Sequence, residues 1–347
     1  MTTTPTGKTT AKVIGAAFVM ALVSMLAVGS FAGALHRPVP HGLPVAVVGP
    51  AVAVGHVEGA LAAHAPGAFS LRRYGDKAAA RGAVLDRSVD AALDLGPGRP
   101  QLLVAGATGE FTTSAVTSAF QAVASASGQS LAVQDIRPAP SGDPYGISQF
   151  CLVIGLALPA IGFGIALSVL AGRQLKPAAW LGALGVFAVL VGLVATWTAD
   201  GFVGALVGAP FALFGLDTLA AFAMSAACAA AARFAGLPLA GLMALLFFPV
   251  GIPAAGGPFG TTFVTSWYGD LGSALPAGAT MSAVRNIVYF NGNGLGGPLL
   301  VLSLWVALAA VVLCLPPLRL AAARRHPRVE LAAPLPRAGA VPKAAGS

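Results

Sequence analysis

The sequence predicts a membrane-embedded helical bundle of about six transmembrane helices, with an extracytoplasmic α/β domain inserted between the first and second spans. Three observations predict it. Of 347 residues, 56% are hydrophobic and only 9% are charged, whereas an ordinary soluble domain carries about 25% charged residues. Uncharged stretches long enough to cross a bilayer recur along the chain. Eight of the 12 acidic residues lie in one segment, residues 36–146, between the first two of those stretches.

The first span is residues 13–35. It follows Lys8 and Lys12 and contains no charge. At 1.5 Å per residue it reaches about 34 Å, enough for a bilayer. Ala32-Gly33-Ala34 resembles a signal-peptide cleavage site, but the apolar run is longer than a usual signal core, so an uncleaved anchor is expected. After the inserted segment, residues 147–318 form a five-helix transmembrane region. Its spans are 147–172, with Pro159 near the middle, 177–199, a short Ala-rich helix from Leu216 to Arg233, 237–256 and 298–318. Residues 201–216, with four glycines and Pro210, fit a re-entrant hairpin or the start of a span. Residues 257–296 are mixed and rich in Gly and aromatics, and are expected to be re-entrant or interfacial. Cys151, Cys228 and Cys314 all lie in apolar stretches and read as small buried hydrophobes.

The segment 36–146 balances eight basic against eight acidic residues, so it faces water. Residues 43–48 are an apolar run stopped by Gly49-Pro50, the pattern of a buried strand. Helix 51–65, strand 69–74, helix 76–88 and strand 90–95 follow. Gly96-Pro97-Gly98 then turns the chain into a strand from Gln101. In 110–127, Val116, Phe120 and Val123 share one helical face. Residues 131–136 are a last strand. The order βαβαββαβ implies a mostly parallel sheet covered by helices.

Charge predicts orientation. The N-terminal tail (1–12), the turn at Arg173 and Lys176, Arg233 and the basic tail (319–347) together hold 11 basic residues and one acid, Glu330. The short loops on the other side hold Arg285, Asp200 and Asp270. The asymmetry places both termini in the cytoplasm of a multi-pass cell-membrane protein. It also accounts for the formal charge of +8 without nucleic acid, for which no binding motif is present.

No P-loop, H-E-x-x-H or G-x-S-x-G motif occurs, and the spans hold no nucleophile or acid–base set, so no enzyme and no cofactor is expected. Gly292 to Gly297 reads as an elbow before the last span rather than a dinucleotide fingerprint. His36, His41, His56 and His64 are irregularly spaced and suggest no metal site. Ionisable groups near spans weigh more, because charge in a bilayer is costly and often functional. Asp217 is a candidate for a substrate or proton role, or else an interfacial helix cap. Arg285 and Tyr289 are four apart and share a face, with Phe290 beside them. They suit a contact for an anionic head group or substrate, or an interfacial belt with Trp267 and Tyr268. Ala223, Ala227 and Ala231 recur every fourth residue, a surface for close helix packing or for a homodimer seam.

Three stretches carry a family resemblance: residues 43–48 directly after the anchor; residues 80–95 followed by the strand from Gln101; and Leu275 to Ala279 through Arg285 to Phe290 before the final span. With the order of anchor, large outer domain and five spans, the chain resembles the type-2 permease superfamily of ABC exporters. It looks closest to the branch of phage-infection-protein-like membrane proteins. The resemblance implies a dimeric transmembrane subunit, surrounded by membrane lipids, with a separate cytoplasmic ATPase and an amphipathic or lipid-like substrate. The alternative is a non-transporting cell-envelope scaffold or receptor whose outer domain binds a partner.

Overall fold

The structure is a computed structural model and describes residues 7–171 and 175–316. Residues 1–6 of the N-terminal tail, Arg173 and the basic C-terminal tail lie outside the described residues.

The chain is predominantly helical. Six helices among the described residues are long and apolar enough to cross a membrane, consistent with a helical membrane protein. They are α1 (Gly7–Leu35), α5 (Ser148–Ala171), α6 (Pro177–Thr196, prolonged by a π-helical turn to Phe202), α7 (Pro210–Ala235), the α8–α9 pair (Leu237–Leu245 and Gly251–Ala254, joined by a π-helical turn at Pro249) and α12 (Gly296–Cys314). Their outward faces are apolar: Leu170, Val186, Phe211, Leu242 and Leu304 all stand exposed. Such a surface belongs in lipid rather than in water. The lipid-type face also explains Cys151 and Cys314, which are exposed rather than buried; only Cys228 is interior.

Between α1 and α5 lies a five-stranded sheet. Its strands are β1 (Leu43–Val48), β2 (Phe69–Arg73), β3 (Ala91–Asp94), β4 (Gln101–Val104) and β5 (Ala132–Asp135), in the order β2-β1-β3-β4-β5. All neighbours are parallel except β3 and β4, which pair antiparallel with Ala91 opposite Val104. The reversal has a topological role. β1, β2 and β3 run away from the bundle, whereas β4 and β5 run toward it. The chain therefore enters and leaves the sheet at one edge, the edge facing the helices. Helices α2 (Ala51–His64) and α4 (Glu110–Ala126) cover one face, where Phe120 of α4 packs with Leu43, Val45 and Leu102 of the sheet. Helix α3 (Lys77–Leu85) covers the other, and its core of Ala80, Val84 and Leu103 continues without a break into the bundle.

Helix α7 is the centre of the bundle; α5, α6, α8 and α12 all pack on it. Its run of alanines is what allows this, because short side chains let several backbones approach closely. Ala223, Ala227 and Ala231 are buried inside the chain, so the face they share is filled from within and offers no seam to a second copy. The helix starts at Pro210, not near Leu216. Proline at the first turn lacks only a donor that would be unpaired there anyway. Residues 203–209 are a short connection rather than a hairpin. The ends of the helices far from the sheet meet around Trp180, Arg233 and Leu237, where Arg233 Nη1 donates to the Leu313 carbonyl at 3.1 Å.

Residues between α9 and α12 form a helical hairpin, α10 (Ser266–Ala274) and α11 (Pro276–Phe290). It dips into the bundle and returns. The Ala274 carbonyl, at the bottom, accepts from Trp305 Nε1 at 2.9 Å. Trp305 is the tenth residue of α12, about 14 Å from its start. On the descending arm, the Tyr268 hydroxyl contacts Ser30 of α1 and donates to the Val250 carbonyl at 3.0 Å. Thirteen of the 15 residues of α11 are buried, because α5, α7 and α12 cover one side of the helix and the sheet unit covers the other. Asn291 ends the ascending arm in a left-handed conformation (φ 54°).

Candidate functional site

The top of α11 meets the bundle-facing edge of the sheet, and the polar side chains of both gather there. The Tyr289 hydroxyl donates to Asp143 Oδ2. Asp143 also accepts from the amides of Ile147 (3.0 Å) and Ser148 (3.1 Å), so one carboxylate holds both the start of α5 and the top of α11. Arg137, just after β5, donates to the Tyr289 carbonyl and to Asn291 Oδ1 (3.0 Å). Arg87, at the end of α3, donates to Asn286 Oδ1 and places its guanidinium 5.2 Å from the centre of the Phe290 ring. Asn293 reaches the Leu85 carbonyl at 3.1 Å.

Electrostatics follow burial. Burial lowers the basicity of the Arg285 guanidinium to about 10, assisted by the neighbouring charge of Arg87. Burial also raises the carboxyl of Asp90, against the opposing pull of Arg87, Arg285 and Arg72. The Tyr289 hydroxyl is pushed up by burial and by its bond to Asp143, so it stays protonated and keeps donating.

The sequence candidates fall in different places. Arg285, Tyr289 and Phe290 are all buried in this junction. They form no belt with Trp267, which is exposed, or with Tyr268, which is engaged lower on the hairpin. The reason is that α11 is an inner arm of the hairpin, so both of its faces are covered. Asp217 is not a helix cap. It is the eighth residue of α7, fully buried, and accepts from Thr196 of α6 at 2.8 Å, while its Oδ1 has no partner among the described residues. His36 and His64 each bond a carbonyl of their own helix, at Ala32 and Ala60, and no metal-ligating group of three is present among the described residues. Arg87, Asp90, Arg137 and Asp143 were not singled out from the sequence. Arg87, Arg137 and Asp143 each join the site through a partner more than a hundred residues away, whereas Asp90 joins it only through the nearby charges of Arg87 and Arg285.

A second feature is a cleft of about 720 Å³ between α5 and α6 near their sheet-side ends. Both helices lean on α7 and touch each other little there. Leu152, Gly155 and Pro159 form one wall, Leu190, Val191 and Val194 the other, and hydroxyls of Ser148 and Thr198 stand at the upper end. About one turn further from the sheet, Phe163 of α5 and Phe187 of α6 stack with ring centroids 4.1 Å apart. Cys151 lines this cleft, which gives it a direct test. With Cys314 replaced by serine, N-ethylmaleimide should label Cys151 at least about tenfold faster than buried Cys228, as exposure dictates. Equal rates before unfolding would mean that the cleft is closed.

Comparison with family models, with curated proteins and with solved structures finds no match to this chain. The reading of function therefore rests on the junction and the cleft.

Proposed function

We infer that the chain is a permease-like subunit of the cell membrane, with both termini cytoplasmic and the sheet unit outside, that exports an amphipathic or lipid-like substrate with a separate cytoplasmic ATPase. The α5–α6 cleft carries this reading. It is apolar along its depth and carries hydroxyls at its upper end, so it matches a molecule with an apolar tail and a polar head. It lies on the flank of the bundle, where a lipid-borne substrate enters without leaving the bilayer. In this reading the Phe163–Phe187 stack, about one turn further along both helices, serves as the barrier toward the other side. The resemblance to type-2 exporter permeases and the basic excess of the short cytoplasmic segments support the same assignment.

The deciding experiment is affinity purification from the native membrane in a gentle detergent, with mass spectrometry of the retained proteins. A stoichiometric P-loop ATPase is the expected result. Its absence, under conditions that hold a known exporter together, removes powered transport. One observation favours the scaffold or receptor reading in that event. The sheet unit carries its own apolar groove of about 760 Å³ between α2 and α4, floored by Ala68 and Phe69 and flanked by Leu61 and Ala119.

A further inference from the structure

The junction encloses a cavity of about 210 Å³ that is unlike the two apolar ones. It sits where β1 and β3 begin and where the chain leaves β4 for α4. Arg87, Asp90 and Arg285 line it, together with hydroxyls of Thr112, Thr261 and Ser282. Arg285 is 8% exposed, its Nε is buried without a partner, and its guanidinium forms no hydrogen bond or ion pair among the described residues. A buried guanidinium left so is costly until an acceptor reaches it. Arg87 is only half engaged. Its partners are a neutral amide and an aromatic ring, and its Nε is also buried without a partner. Asp90 is the one acid lining the cavity, and no ion pair joins it to either guanidinium.

The amino end of α4 adds a second positive element. This 17-residue helix starts at Gly109 without a side-chain cap. Its first amides therefore keep their donors free, and the helix dipole favours negative charge there. A terminal nitrogen of Arg285 lies 3.8 Å from where a Gly109 Cβ would stand, and Thr112 of the first turn lines the cavity. Glu110 is exposed and does not line it. Two planar guanidiniums, a helix amino end and several hydroxyls suit an oxygen-rich anion better than a halide, because each fork pairs with two oxygens. The volume holds such a group with a few waters.

We propose that this cavity binds a tetrahedral oxyanion of the phosphate class, held between Arg285 and Arg87. The group is free phosphate or the phosphate of a lipid head group, since both present the same oxygens. Bound there, it ties together α3, α4 and α11, and so fixes the sheet unit to the re-entrant hairpin. This inference stands on the cavity alone and does not depend on transport.

The test uses the full-length protein in two arms. In detergent, after removal of lipid, inorganic phosphate is titrated at constant ionic strength against chloride, and binding is read by calorimetry and by thermal unfolding. In the second arm the protein is placed in phosphatidylcholine nanodiscs with or without phosphatidylglycerol. Wild-type protein should be stabilised by phosphate, and Arg285→Gln should weaken binding about tenfold or more, the usual scale for a charged hydrogen-bonding group. Ser282→Phe, which fills the cavity without removing a charge, should do the same and covers the case in which Arg285→Gln fails to fold. Stabilisation by phosphatidylglycerol alone, lost in the same variants, identifies the head group as the source. No response in either arm, or an equal response in wild type and both variants, overturns the proposal.

Discussion

Gly164→Ala should destabilise the bundle by about 2–3 kcal/mol, while Gly162→Ala, two residues away on the same helix, should be neutral or slightly stabilising. Gly164 is the point where α5 crosses α7. A Cβ there would overlap the Ser225 carbonyl oxygen and lie 3.0 Å from the Cys228 Cβ. Helix α7 cannot retreat, because it is buried along most of its length by α5, α6 and α12. Overpacking of this kind costs about 1–3 kcal/mol and falls at the upper end when the obstacle is backbone. A Cβ at Gly162 meets nothing within 4 Å. There the substitution acts only through helix propensity, worth up to about 1 kcal/mol in favour of alanine. Thermal unfolding in one detergent gives both values. Equal stability of the two variants would show that α5 and α7 do not cross at Gly164. Gly192 on α6 makes a similar approach to Thr218, so α7 is gripped from two sides through glycines.

Asp143→Ala should cost about 2–4 kcal/mol, well above the effect of Tyr289→Phe. The carboxylate has three donors: two amides at the start of α5 and the Tyr289 hydroxyl. Losing a helix-start acceptor costs about 0.5–2 kcal/mol. Leaving the buried hydroxyl without an acceptor adds about 1–3 kcal/mol. Tyr289→Phe keeps the helix start satisfied and removes the donor along with its need for a partner, so about 1 kcal/mol is expected. Once Tyr289 is phenylalanine, removing Asp143 should cost less than in the wild type. If the two changes simply add, the bridge between α5 and α11 contributes nothing of its own.

Much of the fold was legible in the sequence, for local reasons. The five strands and two of the three helices between them lie within a residue or two of their expected limits, because apolar runs such as Leu43–Val48 are cut off sharply by Gly-Pro pairs; α3 ends at Leu85, three residues before the expected 88. The spans were legible because their lengths match a bilayer. Pro210 misled because proline near a run of glycines suggests a break, whereas at a first helical turn it marks a beginning. The site was legible only in part. Arg285 and Tyr289 share a helix, so their spacing tied them together. Asp143 sits in a Ser-Gly-Asp-Pro loop with no periodicity, and its link to Tyr289 spans 146 positions. Arg87 lies at the end of α3 as one of several charges on a solvated segment, and nothing local marks it as the one that reaches Asn286, 199 positions away. Local patterns specify elements, whereas the junction exists only once those elements are docked.

The single reversal of direction between β3 and β4 bears on how such a chain could have been assembled. A sheet whose strands all ran one way would deliver the chain to the edge far from the helices, and a long return would be needed to start α5. With one reversal, the point of entry at Leu43 and the point of exit after Asp135 share an edge. The unit is thus a closed excursion: the chain leaves the helices and returns to them at the same end, so the direction of α5 does not depend on how many strands lie between. The helices bear the constraint of the bilayer, and the strands and helices above them stay answerable to the half-buried contacts that Arg87 and Arg137 make with α11.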